Sequence, residues 1–116
     1  MVRWGKLAID FFPAPITNRL LSWKRYIFDD VELRMLKGLV NPDMISIDVG
    51  ANKGVYSYQL SRFSKETIAI EPNPKLAKFI SRSRIKNLTV HNVGASVYTG
   101  KSNLEIPIIE NKENNE

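Results

Sequence analysis

The apolar positions of this chain are spaced in two ways, and the changes between them lay out its elements. Met44 to Val49 is a short apolar run in which Ile45, Ile47 and Val49 are β-branched. Asn41-Pro42-Asp43 bounds it on one side and Gly50 on the other, and it is too short for a helix, so it is expected to be a buried central strand. Val55 to Phe63 then follows helical spacing, with Tyr56, Leu60 and Phe63 on one side. Thr67 to Glu71 reads as a second buried strand, and Pro72 holds Glu71 extended at its end. Asn73-Pro74 is a helix start, an N-cap side chain followed by proline at the first helical position. Leu76, Phe79 and Ile80 mark the buried side of that helix, against Lys75, Lys78, Arg82 and Arg84 outside. Leu88 to Val93 alternates as a third strand. Strand, helix, strand, helix, strand in right-handed units predicts an α/β fold with a parallel sheet, flanking helices and a ligand site at the strands' carboxyl ends.

The flanks are read in the same way. Thr17 is expected to cap an amphipathic helix in which Leu20, Trp23 and Ile27 cover the sheet and Arg19, Lys24 and Arg25 form a basic side; the alternative is a basic aromatic surface for a membrane or nucleic acid. Asp29 and Glu32 match a capping box for a helix striped by Leu33, Leu36 and Val40, which Asn41-Pro42 ends. Gly94 to Gly100 turns, and Ser102 to Ile109 is expected to add a strand. The expected organisation is an N-terminal arm and helix over 1–28, the α/β unit over 29–109, and a polar, disordered tail over 110–116.

Composition narrows the chemistry. The chain has 116 residues, 43% hydrophobic and 25% charged, which suits one globular domain. Seventeen Lys and Arg against twelve Asp and Glu give a formal charge of +5, which suits an anionic partner without requiring one. There is no cysteine and a single histidine, His91, so disulfides, thiolate metal sites and histidine clusters are excluded. No apolar run approaches the roughly 20 residues of a membrane span, and Asp10, Pro13 and Pro15 interrupt any leader-like stretch, which points to the cytoplasm.

The site is expected where the first strand meets Gly50. Gly50 and Gly54 permit backbone geometry that a Cβ resists, and a helix N-terminus there presents unpaired N–H groups. Glu71, about twenty residues on, ends the next strand, where a carboxylate accepts hydrogen bonds from two ribose hydroxyls. A dinucleotide fingerprint needs glycines two and five positions after Gly50, and those positions hold Asn52 and Val55. Lys53 precedes Gly54 and no Gly-Lys-Ser/Thr run follows, so there is no Walker lysine. Asp48, beside the turn, opposes a pyrophosphate and favours a cationic group. A ribose joined to an ammonium or sulfonium fits best.

The blocks Asp48 to Gly54, Ile70-Glu71-Pro72-Asn73-Pro74 and Asn87 to Val93 resemble the FkbM-type methyltransferases, a branch of the class I S-adenosylmethionine-dependent enzymes. The resemblance covers Asp29 to Pro107. It implies a Rossmann-like class I methyltransferase half, truncated, because the family's fold continues through further strands. It also implies methylation of a hydroxyl on a sugar or secondary metabolite. By resemblance, Asp48, Gly50 and Asn52 surround the methionine part of S-adenosylmethionine, Ala51 belongs to the same cofactor site, Gly54 admits the helix end, Glu71 clasps the ribose, and Asn92 and Val93 lie near the adenine. The partners implied are a small-molecule or glycan acceptor and a missing C-terminal half or another chain, with no nucleic acid. No residue is assigned as catalytic base or metal ligand.

Other readings stand beside this one. Asn52 and Asn73 suit helix caps, His91 suits a packed or solvated strand position, and the Lys75 to Lys86 charges suit a solvated helix face. For the whole chain, the alternatives are a nucleotide-binding module of another class and a non-catalytic remnant.

Overall fold

A computed structural model of the chain describes residues 13–25 and 30–107. In chain order these form α1 (Ala14–Lys24), α2 (Val31–Leu39), β1 (Ile45–Val49), α3 (Val55–Phe63), β2 (Glu66–Ile70), α4 (Pro74–Ser81) and β3 (Leu88–His91). The strands make one parallel sheet in the order β1-β2-β3. This is a small α/β arrangement compatible with a Rossmann-like fold. Asp48 pairs with Ala69 and Ala69 with Val90, so these three positions share one face. Two crossovers stepping in the same direction put α3 and α4 on that face. Ser57 of α3 reaches it at Asp48, and Ile80 of α4 packs with Ala69, Ala51, Leu88 and Val90.

The opposite face of β1 is open. Ile45, Ile47 and Val49 are 59%, 60% and 61% exposed, because β1 is the edge of the described sheet and no described helix lies over these side chains. The expectation of a buried central strand is therefore corrected: the middle strand is β2, where Thr67 and Ala69 are fully buried. β2 also starts and ends one residue earlier than expected, at Glu66 and Ile70.

Four further expectations change. The first described helix starts at Ala14, with Pro13 at its N-cap and proline in its first turn, where a missing N–H costs nothing. Thr17 is thus no cap; it sits one turn in, buried, its hydroxyl donating to the Pro13 carbonyl at 3.3 Å. Nor do Leu20 and Trp23 cover the sheet. α1 turns Thr17 and Ser22 inward, with Ser22 Oγ donating to the Val55 carbonyl at 3.2 Å and accepting from Gln59 Nε2 at 2.7 Å. Finally, β3 ends at His91, short of Asn92 and Val93, and residues 102–107 are exposed and irregular instead of adding a strand. A strand exists by pairing, and no described strand pairs with them.

α4 follows its sequence signal more closely than α2. The expected Asp29/Glu32 capping box is corrected: Asp30 is the N-cap of α2, without a side-chain cap bond, Val40 is extended just past the helix, and Leu33 is fully buried. Asn73 caps α4, its side chain accepting from the Lys75 N–H at 3.0 Å. Asn87 ties the start of β3 to the end of α3, donating to the carbonyls of Ser61 (2.7 Å) and Ser64 (3.1 Å). Ile27, Asp29 and the 110–116 tail lie outside the described residues. No described helix is long and apolar enough to cross a membrane.

Candidate functional site

The chain leaves β1 through a turn that uses left-handed backbone three times in five residues: Gly50 (φ 76°), Asn52 (φ 52°) and Gly54 (φ 76°). Two of the three are glycine, which adopts this conformation without a Cβ penalty. The turn folds back over the end of β2. The N–H groups of Gly50 and Ala51 both donate to the Ile70 carbonyl, at 2.8 and 3.1 Å, and Gly54 N–H closes the turn on the Ala51 carbonyl at 2.7 Å. Asn52 N–H donates to Glu71 Oε2 at 2.7 Å.

Glu71 is the centre of the arrangement and is only 5% exposed. Its second carboxylate oxygen accepts from Asn73 N–H at 2.8 Å, so the one side chain ties the β1 turn to the start of α4. Its backbone N–H donates to the His91 carbonyl at 3.0 Å. Asn92 Nδ2 donates to the carbonyls of Glu71 and Pro72, at 2.8 and 2.9 Å. Gly50, Ala51, Asn52, Glu71 and Asn92 thus converge on one corner at the strands' carboxyl ends. Gly54 lies buried beneath it as the N-cap of α3, with its carbonyl accepting from Tyr58 N–H at 2.9 Å. Val93 is exposed just past Asn92.

Asp48 is on the other side of the turn. Its Oδ2 accepts from Ser57 Oγ at 2.5 Å. Together with Gly50, Ala51, Asn52 and Val55 it lines a cavity of about 400 Å³. Leu21, Arg25, Lys53 and Tyr56 complete that wall. Arg25 is held there by Asp30 at 2.6 Å. Burial, joined by the carboxylates of Asp30, Glu32 and Asp48 and opposed by Arg25, holds the Tyr56 phenol above its usual value of 10.0, so at neutral pH it is a neutral hydrogen-bond donor.

Arg25, Tyr56 and Ser57 were not picked out from the sequence as site residues. Tyr56 carried only the signal of a helix face, and Arg25 reaches the cavity because α1 docks on α3, which no local spacing encodes.

The geometry also corrects the expected ligand contacts. The N–H groups of Gly50, Ala51, Asn52 and Gly54 all have acceptors within the protein, so these four are not free to cradle an anion. Asn52 is not a helix cap, since Gly54 holds that position. His91 is exposed at the end of β3, and Lys75, Lys78, Arg82, Arg84 and Lys86 are solvated. Among the described residues, no three His, Cys, Asp or Glu side chains cluster in a way that could hold a metal ion. No protein-family model matches the chain, and no curated protein matches it.

What the corner can do follows from its parts. A buried carboxylate faces a tight turn, and a second carboxylate lies across that turn beside a small cavity. Asp48 borders that cavity, whereas Glu71 is buried across the turn and does not line it.

Proposed function

We propose that this chain binds S-adenosylmethionine across the Asp48 to Gly54 corner and Glu71, and that it supplies the cofactor-binding half of an O-methyltransferase acting on a sugar or secondary-metabolite hydroxyl. The observation that carries the reading is the 2.7 Å bond from Asn52 N–H to Glu71 Oε2, which joins the two sequence blocks into one corner.

The residues present fit the group. Glu71 already accepts two backbone N–H bonds, but an ionised carboxylate offers about four acceptor positions, so two remain for a ribose diol. Among the described residues, Asp48 is the one carboxylate lining the cavity and would face the sulfonium, while Lys53 and Arg25, the latter paired with Asp30, would face the methionine carboxylate. In this reading Asp48, Gly50, Ala51 and Asn52 hold the methionine portion, Gly54 shapes the turn beneath it, and Asn92 and Val93 border the adenine. The bound group would supply an electrophilic methyl; the chain's own residues fix its orientation. The acceptor's proton has no assigned base among the described residues.

The filled turn amides weigh against a dinucleotide module, because a pyrophosphate needs free N–H groups at this turn. A second reading rests on a separate observation: among the described residues the β1 edge is unpaired, with Ile45, Ile47 and Val49 exposed. It takes the chain as a part completed by a C-terminal half or another chain, with the acceptor site on that other part.

Calorimetric titration with S-adenosylmethionine and with its demethylated product tests the cofactor. Both are expected to bind, and Glu71→Ala is expected to weaken binding about 100-fold, from two charge-assisted hydrogen bonds at roughly 1.5 kcal/mol each. Because Glu71 also pins the turn, the variant's circular dichroism must match the parent's. Preferential binding of a nicotinamide dinucleotide, or no nucleoside binding at all, rejects the proposal.

A further inference from the structure

A groove of about 990 Å³ runs between the start of α1, at Pro13 and Pro15, and the outer side of α4. Its other walls carry Lys53, Lys75, Lys78, Arg82 and Arg84, and no carboxylate lines it. Among the described residues none of these five cations has an ion-pair partner. Five unneutralised charges around one groove attract a multiply anionic partner.

The helix bordering this groove is turned the unusual way. α1 buries Thr17 and Ser22 and leaves Ile16, Leu20 and Trp23 47%, 56% and 49% exposed. These three recur at helical spacing as one outward stripe, beginning one residue after the groove wall at Pro15. Arg19 and Lys24 are exposed on the same helix, and the Arg62 guanidinium lies 6.0 Å from the centre of the Trp23 ring. Apolar and indole side chains bordered by cations are the composition of an interfacial helix, with tryptophan at the headgroup level.

We infer that the α1 stripe and the basic groove together form a docking surface for an anionic phospholipid membrane. Phosphate headgroups occupy the groove, and Ile16, Leu20 and Trp23 enter the boundary between headgroups and acyl chains. Other occupants match the charge less well. A second copy brings the same cations. Residues 1–12 carry Arg3 and Lys6 against Asp10, and the segment after Pro107 brings Glu110, Glu113 and Glu116 against Lys112, too few to neutralise the groove. A nucleic acid would satisfy the cations and leave the aliphatic stripe in water.

Vesicle co-sedimentation tests this. The chain is expected to partition onto phosphatidylcholine vesicles containing phosphatidylserine, and not onto phosphatidylcholine alone, with binding that falls as salt is raised. In a Trp4→Phe background Trp23 is the only tryptophan, and its emission, excited at the red edge to avoid the tyrosines, is expected to shift to the blue on binding. Lys78→Gln with Arg82→Gln should lower the partition coefficient about 30-fold, and Leu20→Asp should lower it too. The α4 pair lies on an exposed helix side, so it tests the surface even if the Leu20 variant fails to fold. No partition onto the anionic vesicles, partition indifferent to the α4 pair, or a single-stranded oligonucleotide displacing the chain with Trp23 emission unshifted would each overturn the inference.

Discussion

Glu71 shows how much one side chain can organise. Its two oxygens hold the N–H groups of Asn52 and Asn73, nineteen residues back and two forward, so the β1 turn and the start of α4 share one acceptor. Its place at the end of the strand, beside the turn, was legible from the acid before a proline; its two bonds to backbone N–H groups were not, because the pattern pointed to ribose hydroxyls. The other wall of the site was not legible. Ser57 meets Asp48 only once α3 has folded onto the sheet, and Arg25 meets Tyr56 only once α1 has docked. Tyr56 gives a direct test of that wall. Burial and the carboxylates of Asp30, Glu32 and Asp48 raise its pKa above 10.0, so the folded chain keeps a proton that the unfolded chain releases. The resulting stability is complete below pH 10.0 and is lost as pH climbs through the folded value. Urea unfolding across the alkaline range should therefore show a steeper loss for the parent than for Tyr56→Phe. Parallel slopes would mean the phenol does not face those carboxylates.

Between elements, the sequence pattern succeeded where packing and spacing agree. α3 keeps its expected bounds, and α4 starts at its Asn-Pro signal, because each has a local start and a face pressed on the sheet. α1 fails for the opposite reason. Its apolar residues were read as the buried side, yet the contact it makes with α3 is polar. Ser22, fully buried, donates to the Val55 carbonyl and accepts from Gln59 Nε2, while Gln59 Oε1 in turn accepts from Arg62 at 3.1 Å. A chain of hydrogen bonds leaves no hydrophobic period to detect. Replacing Ser22 by Ala removes the acceptor of a buried amide N–H and is expected to destabilise the fold by about 2 kcal/mol, read from denaturant midpoints at constant slope. Leu20→Ser, on the outward stripe, should change stability by less than about 0.5 kcal/mol. If Leu20→Ser costs more than Ser22→Ala, α1 is docked by its apolar side.

Taken whole, the described sheet is finished on one face and open on the other. α3 and α4 cover Asp48, Ala69 and Val90, whereas Ile45, Ile47 and Val49 stand in a row along an unpaired edge. Natural edges are blunted by lysine, proline, bulges or a covering element, and none of the first three occurs in Ile45 to Val49. Exposed β-branched side chains beside a free ladder are a site for adding strands, from another segment or another chain. The chain is therefore expected to bind the hydrophobic dye ANS while folded and to gain mass with concentration in light scattering. Ile47→Lys places a charge in the middle of the open face, where no core contact is lost, so its unfolding midpoint should stay near the parent's. Dye binding and concentration-dependent mass should both fall in that variant. A parent that stays monomeric and dye-silent would show that residues outside the described ones already close the face, and Ile47→Lys would then be strongly destabilising, because it would bury an unpaired charge.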